Sequence, residues 1–154
     1  MNRNIWQILI FMTAKTSKKI KEIILIYFIG ATGYALLEIL WRGYTHWTMA
    51  VTGGLCFLII YKADTKLANR NIITKCTIYA LIVTCAELIV GTVVNLRLKW
   101  NVWDYSSLPY NYLGQICIVY SALWFALGFP LSSLCKRLML IFDKKAKDAA
   151  IRYE

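Results

Sequence analysis

Four long apolar runs, separated by short segments that carry most of the charge, constrain this chain more than any other feature. A helix of about 20 residues is roughly 30 Å long and can cross the hydrocarbon core of a bilayer. With 59% hydrophobic residues and a mean hydropathy of +0.53, the chain is too apolar for a soluble domain of its size. The pattern predicts an all-α fold, an integral membrane four-helix bundle made of two helical hairpins. The predicted spans are 22–41, 45–61, 72–95 and 112–129.

The two ends of the chain are basic and are expected at the bilayer surface. Residues 1–21 contain a short apolar run followed by lysines, which indicates a basic N-terminal arm with an interfacial helix. Residues 22–130 form the predicted transmembrane domain. Residues 131–154 alternate leucines with Lys and Arg, which indicates an amphipathic cytoplasmic tail on an anionic leaflet. A frayed N-terminus and a last helix that simply continues out of the membrane are the alternatives.

The basic residues are distributed unevenly among the connections. The N-terminal arm, the link around 62–75 and the tail hold five, four and six of the 18 Lys and Arg residues, which leaves Arg42, Arg97 and Lys99 for the other two connections. Cytoplasmic segments of membrane proteins carry such an excess. We therefore expect a multi-pass protein of the cytoplasmic membrane, with both termini in the cytoplasm. Because the basic residues lie between apolar runs, the net charge of +10 does not indicate a nucleic-acid partner.

Two carboxylates interrupt the apolar runs, Glu38 near the end of the first and Glu87 within the third. An ionisable residue at membrane depth is costly and marks a functional site by default. The alternative is a hydrogen-bonding group that only fixes helix packing. Arg42 follows Glu38 by four residues, within reach of an ion pair, and His46 opens the second run. We expect Arg42 and His46 to meet an anionic group.

The third connection and the start of the fourth run supply the remaining candidates. Interfacial aromatic belts account for the density of Trp and Tyr there. They do not account for an aspartate among the aromatics, or for two amides four residues apart in the following segment. We therefore predict that these residues line an outward-facing polar pocket. They are Trp103, Asp104, Tyr105, Asn111 and Gln115.

The sequence predicts neither a metal site nor a cofactor. His46 is the only histidine, and no HExxH or Glu-x-x-His spacing accompanies it. The five cysteines stand singly in or beside apolar runs, which is typical of small buried hydrophobes.

Several of these residues carry a resemblance to a known family. The chain resembles, over about residues 33–127, the bacterial ABC-transporter permease type IV (CmpB-like) family of small multi-pass membrane proteins. The first hairpin departs from that family's Asn-Arg-Gly and Gly-Pro pattern. The resemblance implies a transport component, although no Gly-x-x-x-x-Gly-Lys nucleotide loop occurs in the chain. The matching positions are Glu38 to Tyr61, Glu87, Gly91, the WDYS sequence from Trp103, Pro109, Asn111 and the GQIC sequence from Gly114.

Together these features favour a membrane component that binds or passes a small molecule. The expected partners are the lipid bilayer, a small-molecule or lipid ligand, and either transporter subunits or further copies of the chain. One alternative is an intramembrane enzyme acting on a lipid, with a glutamate or His46 as general base and Arg42 on a phosphate. Another is an accessory subunit whose polar residues only lock helices together. The sequence does not decide whether the protein is an enzyme, but favours a binding role.

Overall fold

The computed structural model describes residues 3–151, with side chains described for residues 13 and 16–143. The prediction of an all-α helical membrane bundle is confirmed. Within the described residues, four helices account for most of the chain and the only strands form one two-residue antiparallel pair. The elements are α1 (Arg3–Arg42), α2 (Trp47–Lys66), α3 (Ile72–Gly91), the π-helical segment Thr92–Arg97, β1 (Asn111–Tyr112), β2 (Ile116–Cys117) and α4 (Ile118–Ile151).

α1 and α2 form the first hairpin. Gly43 ends α1 in the left-handed region at φ +81°, and its N–H donates to the carbonyl of Ile39 at 2.9 Å. At the far end of the hairpin, the Tyr61 hydroxyl donates to Glu22 at 2.8 Å. Because early residues of α1 meet late residues of α2, the two helices are antiparallel.

Glycines let the backbones of this hairpin approach closely. A Cβ atom on Gly30 would lie 2.4 Å from the Cβ of Phe57, and one on Gly53 would lie 2.2 Å from the Cβ of Tyr34. A Cβ on Gly54 would meet the ring of Tyr27 at 2.6 Å. These glycines therefore permit close helix packing.

α3 and α4 form the second hairpin, and α2 of the first hairpin packs against it. Gly128 of α4 packs on Cys76 of α3, where a Cβ would come within 2.9 Å. The main core gathers around the fully buried Tyr79, Ile60 and Cys135, which come from three different helices. The backbones of α1 and α4 stay apart, and side chains bridge the groove between them.

Three described helical segments are long and apolar enough to cross a membrane: Thr16–Arg42, Ile72–Arg97 and Ile118–Asp143. α2 is not among them, because its threonines and the charged residues of its last turns lower its hydropathy. Its buried positions, in contrast, run along its whole length from Thr48 to Asp64. α2 is thus the helix most enclosed by the others.

Several helix boundaries differ from the predicted ones. α1 does not end near residue 21, because no glycine or proline interrupts it before Gly30, and the predicted interfacial segment continues into the first span. α4 begins at Ile118, six residues later than predicted, because the β1–β2 pair occupies 111–117. Pro130 neither ends nor begins a helix and lies inside α4. Packing holds the helix on both sides of it, through Gly128 before and the buried Cys135 after.

Candidate functional site

The groove between α1 and α4 contains two adjoining cavities, one at the end near the 98–117 loop and one deeper. The loop-end cavity has a volume of about 410 Å³ and the deeper cavity about 340 Å³. They share four wall residues, so we treat them as one feature, the α1–α4 groove. The shared residues are Tyr34, Leu37, Trp124 and Leu127.

Aromatic rings dominate the loop-end cavity. Tyr34 of α1 stacks on Trp124 of α4 with ring centroids 5.5 Å apart, and Tyr105 of the loop stacks on Tyr120 of α4 at 4.4 Å. The Trp41 indole N–H donates to the Tyr120 hydroxyl at 3.0 Å, which bridges the two helices. All five rings line the cavity.

An ion pair marks the polar end of this cavity. The Arg42 Nη2 donates to Glu38 Oε1 at 2.6 Å, and the Thr45 hydroxyl donates to the other carboxylate oxygen at 2.5 Å. The remaining guanidinium nitrogens also donate, Nη1 to the carbonyl of Val102 at 2.9 Å and Nε to the carbonyl of Tyr44 at 3.3 Å. Arg42 therefore ties the end of α1 to two connections, and each of its three nitrogens has a partner.

Glu87 lies behind the aromatic wall and is 1% exposed. The groups that act on its carboxyl are the Trp124 indole N–H, the Tyr105 hydroxyl and the negative charge of Glu38. Among the described residues, neither Glu87 Oε1 nor Trp124 Nε1 completes a hydrogen bond. A buried donor and a buried acceptor at the groove wall are therefore left without partners, which is costly and unusual in a folded protein.

The 98–117 loop is built on a buried amide network. Asn95 Nδ2 donates to Gln115 Oε1 at 2.8 Å and to the carbonyl of Trp103 at 2.9 Å, and Asn95 Oδ1 accepts from the N–H of Val102 at 2.7 Å. The Trp103 indole N–H donates to the Gln115 carbonyl at 3.0 Å. Trp103 and Gln115 therefore hold the loop on the end of α3 and do not line the groove.

The outer part of the same loop is held by two further predicted residues. Asp104 accepts from the N–H and the hydroxyl of Ser106 at 2.8 and 2.9 Å, and these bonds lower the pKa of its carboxyl. Asn111 donates to the carbonyl of Leu108 at 2.7 Å and accepts from the N–H of Gly114 at 3.1 Å. Both side chains are used to fold the loop.

Tyr105 is the loop residue that reaches the groove. Burial, followed by the negative charge of Glu87, raises the pKa of its phenol, so its hydroxyl remains a hydrogen-bond donor. Its backbone N–H donates to the carbonyl of Gly114 at 2.8 Å, which anchors it to the β1–β2 turn.

His46 is the N-cap of α2. Its Nδ1 accepts from the N–H of Thr48 at 3.4 Å and lies 2.8 Å from the Thr48 hydroxyl. Its ring lies near Trp47 and Trp100, with centroids 5.6 and 5.8 Å away. Its ring is therefore surrounded by interfacial aromatics, and it is not among the lining residues of the groove. In the part of the chain that the structure describes, no three His, Cys, Asp or Glu side chains come together to hold a metal ion.

The nine predicted site residues thus separate into two groups. Glu38, Arg42 and Tyr105 line the groove, and Glu87 lies directly behind its wall. The others cap α2 or build the loop: His46, Trp103, Asp104, Asn111 and Gln115.

Sequence reasoning missed the aromatic residues of the groove. Tyr34 lies four residues before Glu38 and Trp41 three after it, which places all three on one face of α1. Tyr120 and Trp124 have the same four-residue spacing on α4. These spacings are a usable signal, but they do not say that the two faces border the same groove.

A buried ionic cluster at the opposite end of the bundle was also missed. Asp64 is 4% exposed and accepts from Lys75 Nζ at 2.8 Å, from the Tyr79 hydroxyl and from the Ser132 hydroxyl at 3.4 Å. The charge pattern of the sequence indicates only a basic link around residues 62–75. Cys56, Ile60 and Asp64 follow one another at four-residue steps, which extends the buried stripe of α2 to Asp64 and would have revealed it.

A helical bundle with three described segments long and apolar enough to cross a bilayer is the structure of an integral membrane protein. The chain belongs to the family described as Putative ABC-transporter type IV, whose model matches residues 25–152. The predicted family is confirmed, and the protein is a membrane protein related to transport. No solved structure matches the chain.

Proposed function

We propose that this protein is the membrane-embedded binding component of a transport system, and that it holds a small molecule in the α1–α4 groove. The observation that carries the proposal is the groove itself. It lies between two outer helices whose backbones stay apart, is lined by five aromatic rings, and has an ion pair at its loop end. Largely apolar concave sites with a few convergent polar groups are the usual form of small-molecule sites.

The position of the groove favours an amphipathic or apolar ligand over a fully water-soluble one. Its deeper cavity is walled by side chains such as Ile29, Phe57, Val83 and Leu131, from all four helices. Polar groups gather only near the loop, at Glu38, Arg42 and Tyr105. A molecule with one polar end and an apolar body matches this division.

We also propose that all four helices lie at membrane depth, with both termini in the cytoplasm. α2 is antiparallel to α1 and contacts it along the helix. Tyr61 meets Glu22 at one end, and Gly53 meets Tyr34 towards the other. If α1 crosses the bilayer, α2 lies at the same depth beside it. Four spans place the basic arm, link and tail on one side, as the charge rule requires.

The family name supports transporter subunits as partners. Transport driven by ATP would use a nucleotide-binding subunit, because this sequence has no Gly-x-x-x-x-Gly-Lys loop. The lipid-enzyme alternative has less support, because it assigns a phosphate to Arg42, whose charge is already paired with Glu38.

The test compares two tryptophan substitutions of leucine. Leu127→Trp fills the groove where the two cavities meet, whereas Leu81→Trp adds the same volume on an exposed part of α3. Tagged wild type and both variants are purified from native membranes in a mild detergent, and bound small molecules are identified by mass spectrometry. We expect that some compounds co-purify with wild type and with Leu81→Trp but are absent from Leu127→Trp, and that all three proteins give the same folded yield. Identical compounds in all three preparations would contradict the proposal.

A further inference from the structure

The two carboxyl groups near the groove differ in their partners. Glu38 is paired with Arg42 at 2.6 Å. Glu87 is the second carboxyl at this depth, and among the described side chains the groups that act on it are Trp124, Tyr105 and Glu38, none of which is a cation. The groove therefore holds one positive side chain for two carboxyl groups.

Each nitrogen of the positive side chain already donates a hydrogen bond. The acceptors are Glu38 and the carbonyls of Val102 and Tyr44. The charge of Arg42 is paired with Glu38, so an anionic ligand would compete with that carboxylate for the guanidinium. His46, the other residue expected to meet an anion, is not among the lining residues of the groove.

Aromatic side chains line the loop-end cavity next to Glu87. They are Tyr34, Trp41, Tyr105, Tyr120 and Trp124. The electron-rich face of an aromatic ring attracts a cation, most strongly where water is excluded, and aromatic cages are a common way to bind organic ammonium groups. Glu87, which no described cationic side chain accompanies, adds a carboxyl group that can pair with a bound cation.

We propose that the α1–α4 groove binds an organic cation with an apolar body, with its positive end among the aromatic rings in front of Glu87 and its apolar body in the deeper cavity. The inference rests on the proposed function, because it names the class of ligand for the same groove.

Three probes of similar size and different charge test the inference: tetraphenylphosphonium, tetraphenylborate and the neutral triphenylphosphine oxide. Each is equilibrated by dialysis with the full chain in a neutral maltoside detergent. Binding is attributed to the groove only where Leu127→Trp removes it and Leu81→Trp does not. We expect the phosphonium to bind at least about tenfold more tightly than the borate.

Two variants then examine the cation preference. Glu87→Gln keeps the shape of the side chain and removes its charge, and should weaken phosphonium binding about tenfold while leaving the neutral oxide within about twofold. Asp143→Asn also replaces a carboxyl group by an amide, but at an exposed position, and should have no effect on phosphonium binding. If Glu87→Gln does not fold, Trp41→Leu is informative, because Trp41 is 70% exposed and its ring lines the cavity. It should lower the phosphonium affinity relative to that of the oxide.

The outcomes separate the two proposals. Groove binding in which the borate equals or exceeds the phosphonium overturns the cation inference and leaves the proposed function standing. Phosphonium binding that is insensitive to Glu87→Gln also overturns the cation inference and leaves the proposed function standing. Where Trp41→Leu is used in place of Glu87→Gln, insensitivity to Trp41→Leu has the same meaning. If none of the three probes shows binding that Leu127→Trp removes, the groove is not a site for such molecules and both proposals are wrong.

Discussion

Replacing Lys75 with methionine should destabilise the bundle more than replacing Asp64 with asparagine. These residues form the ion pair that joins α2 to α3, with Nζ 2.8 Å from Oδ1. The Asp64 side chain is 5% exposed and that of Lys75 is 12%. Asp64 also accepts from the hydroxyls of Tyr79 and Ser132, so it is the centre of the cluster.

The expected magnitudes follow from what each substitution leaves behind. Removing one partner of a buried ion pair costs about 3–5 kcal/mol, because the other charge remains buried without compensation. Lys75→Met leaves the Asp64 carboxylate in place, with only hydroxyl donors, so the upper part of this range applies. Asp64→Asn keeps an acceptor for both hydroxyls, and the freed ammonium can move towards water on its flexible stem, so its cost should be about 1–2 kcal/mol.

The assay is reversible unfolding in mixed detergent micelles, followed by far-ultraviolet circular dichroism, for wild type, both single variants and the double variant. The double variant leaves no unpaired charge and should lose about 1–3 kcal/mol less than the two single losses together. Lys62→Met, which removes a charge from an exposed position on α2, is the control. A larger loss for Asp64→Asn than for Lys75→Met, or strictly additive losses, would refute the reasoning.

Two further predictions concern packing and pH. Gly30→Ala should lower the free energy of unfolding by about 1–3 kcal/mol, because the new methyl group would lie 2.4 Å from the Cβ of Phe57. Gly33→Ala places a methyl group with nothing within 4 Å, so it should be neutral or stabilising in the same detergent assay. Equal effects of the two substitutions would contradict this prediction. The pKa of the Asp104 carboxyl is lowered in the folded protein. Its stabilisation of the loop is therefore complete above about pH 4, which is the ordinary pKa of an aspartate, and is lost as the pH falls through the lower pKa of the folded state. Pepsin cleavage of the loop should therefore rise more steeply with acidity in wild type than in Asp104→Asn, and parallel curves would show that this carboxylate does not hold the loop.

Asn111 and Gln115 show why some of the residues predicted to line a polar pocket do not line the groove. Asn111 and Gln115 carry hydrogen-bonding capacity, as their types indicate, but that capacity is used within the loop. A connection of this length contains many backbone N–H and C=O groups that need partners. Amide side chains such as Asn95 supply them, and the sequence does not distinguish an amide that binds a ligand from one that binds its own backbone.

The composition and order of the chain were enough to predict a helical membrane bundle, because crossing a bilayer requires long apolar helices and leaves charge in the connections. The pairing of Glu38 with Arg42 also followed from the four-residue period of the helix. The groove depended on the tertiary structure. Its walls, α1 and α4, are far apart in sequence, and only the packing of both around α2 and α3 brings Tyr34 to Trp124. That same packing encloses Glu87 with no described cationic side chain beside it, which distinguishes the groove from an ordinary helix contact.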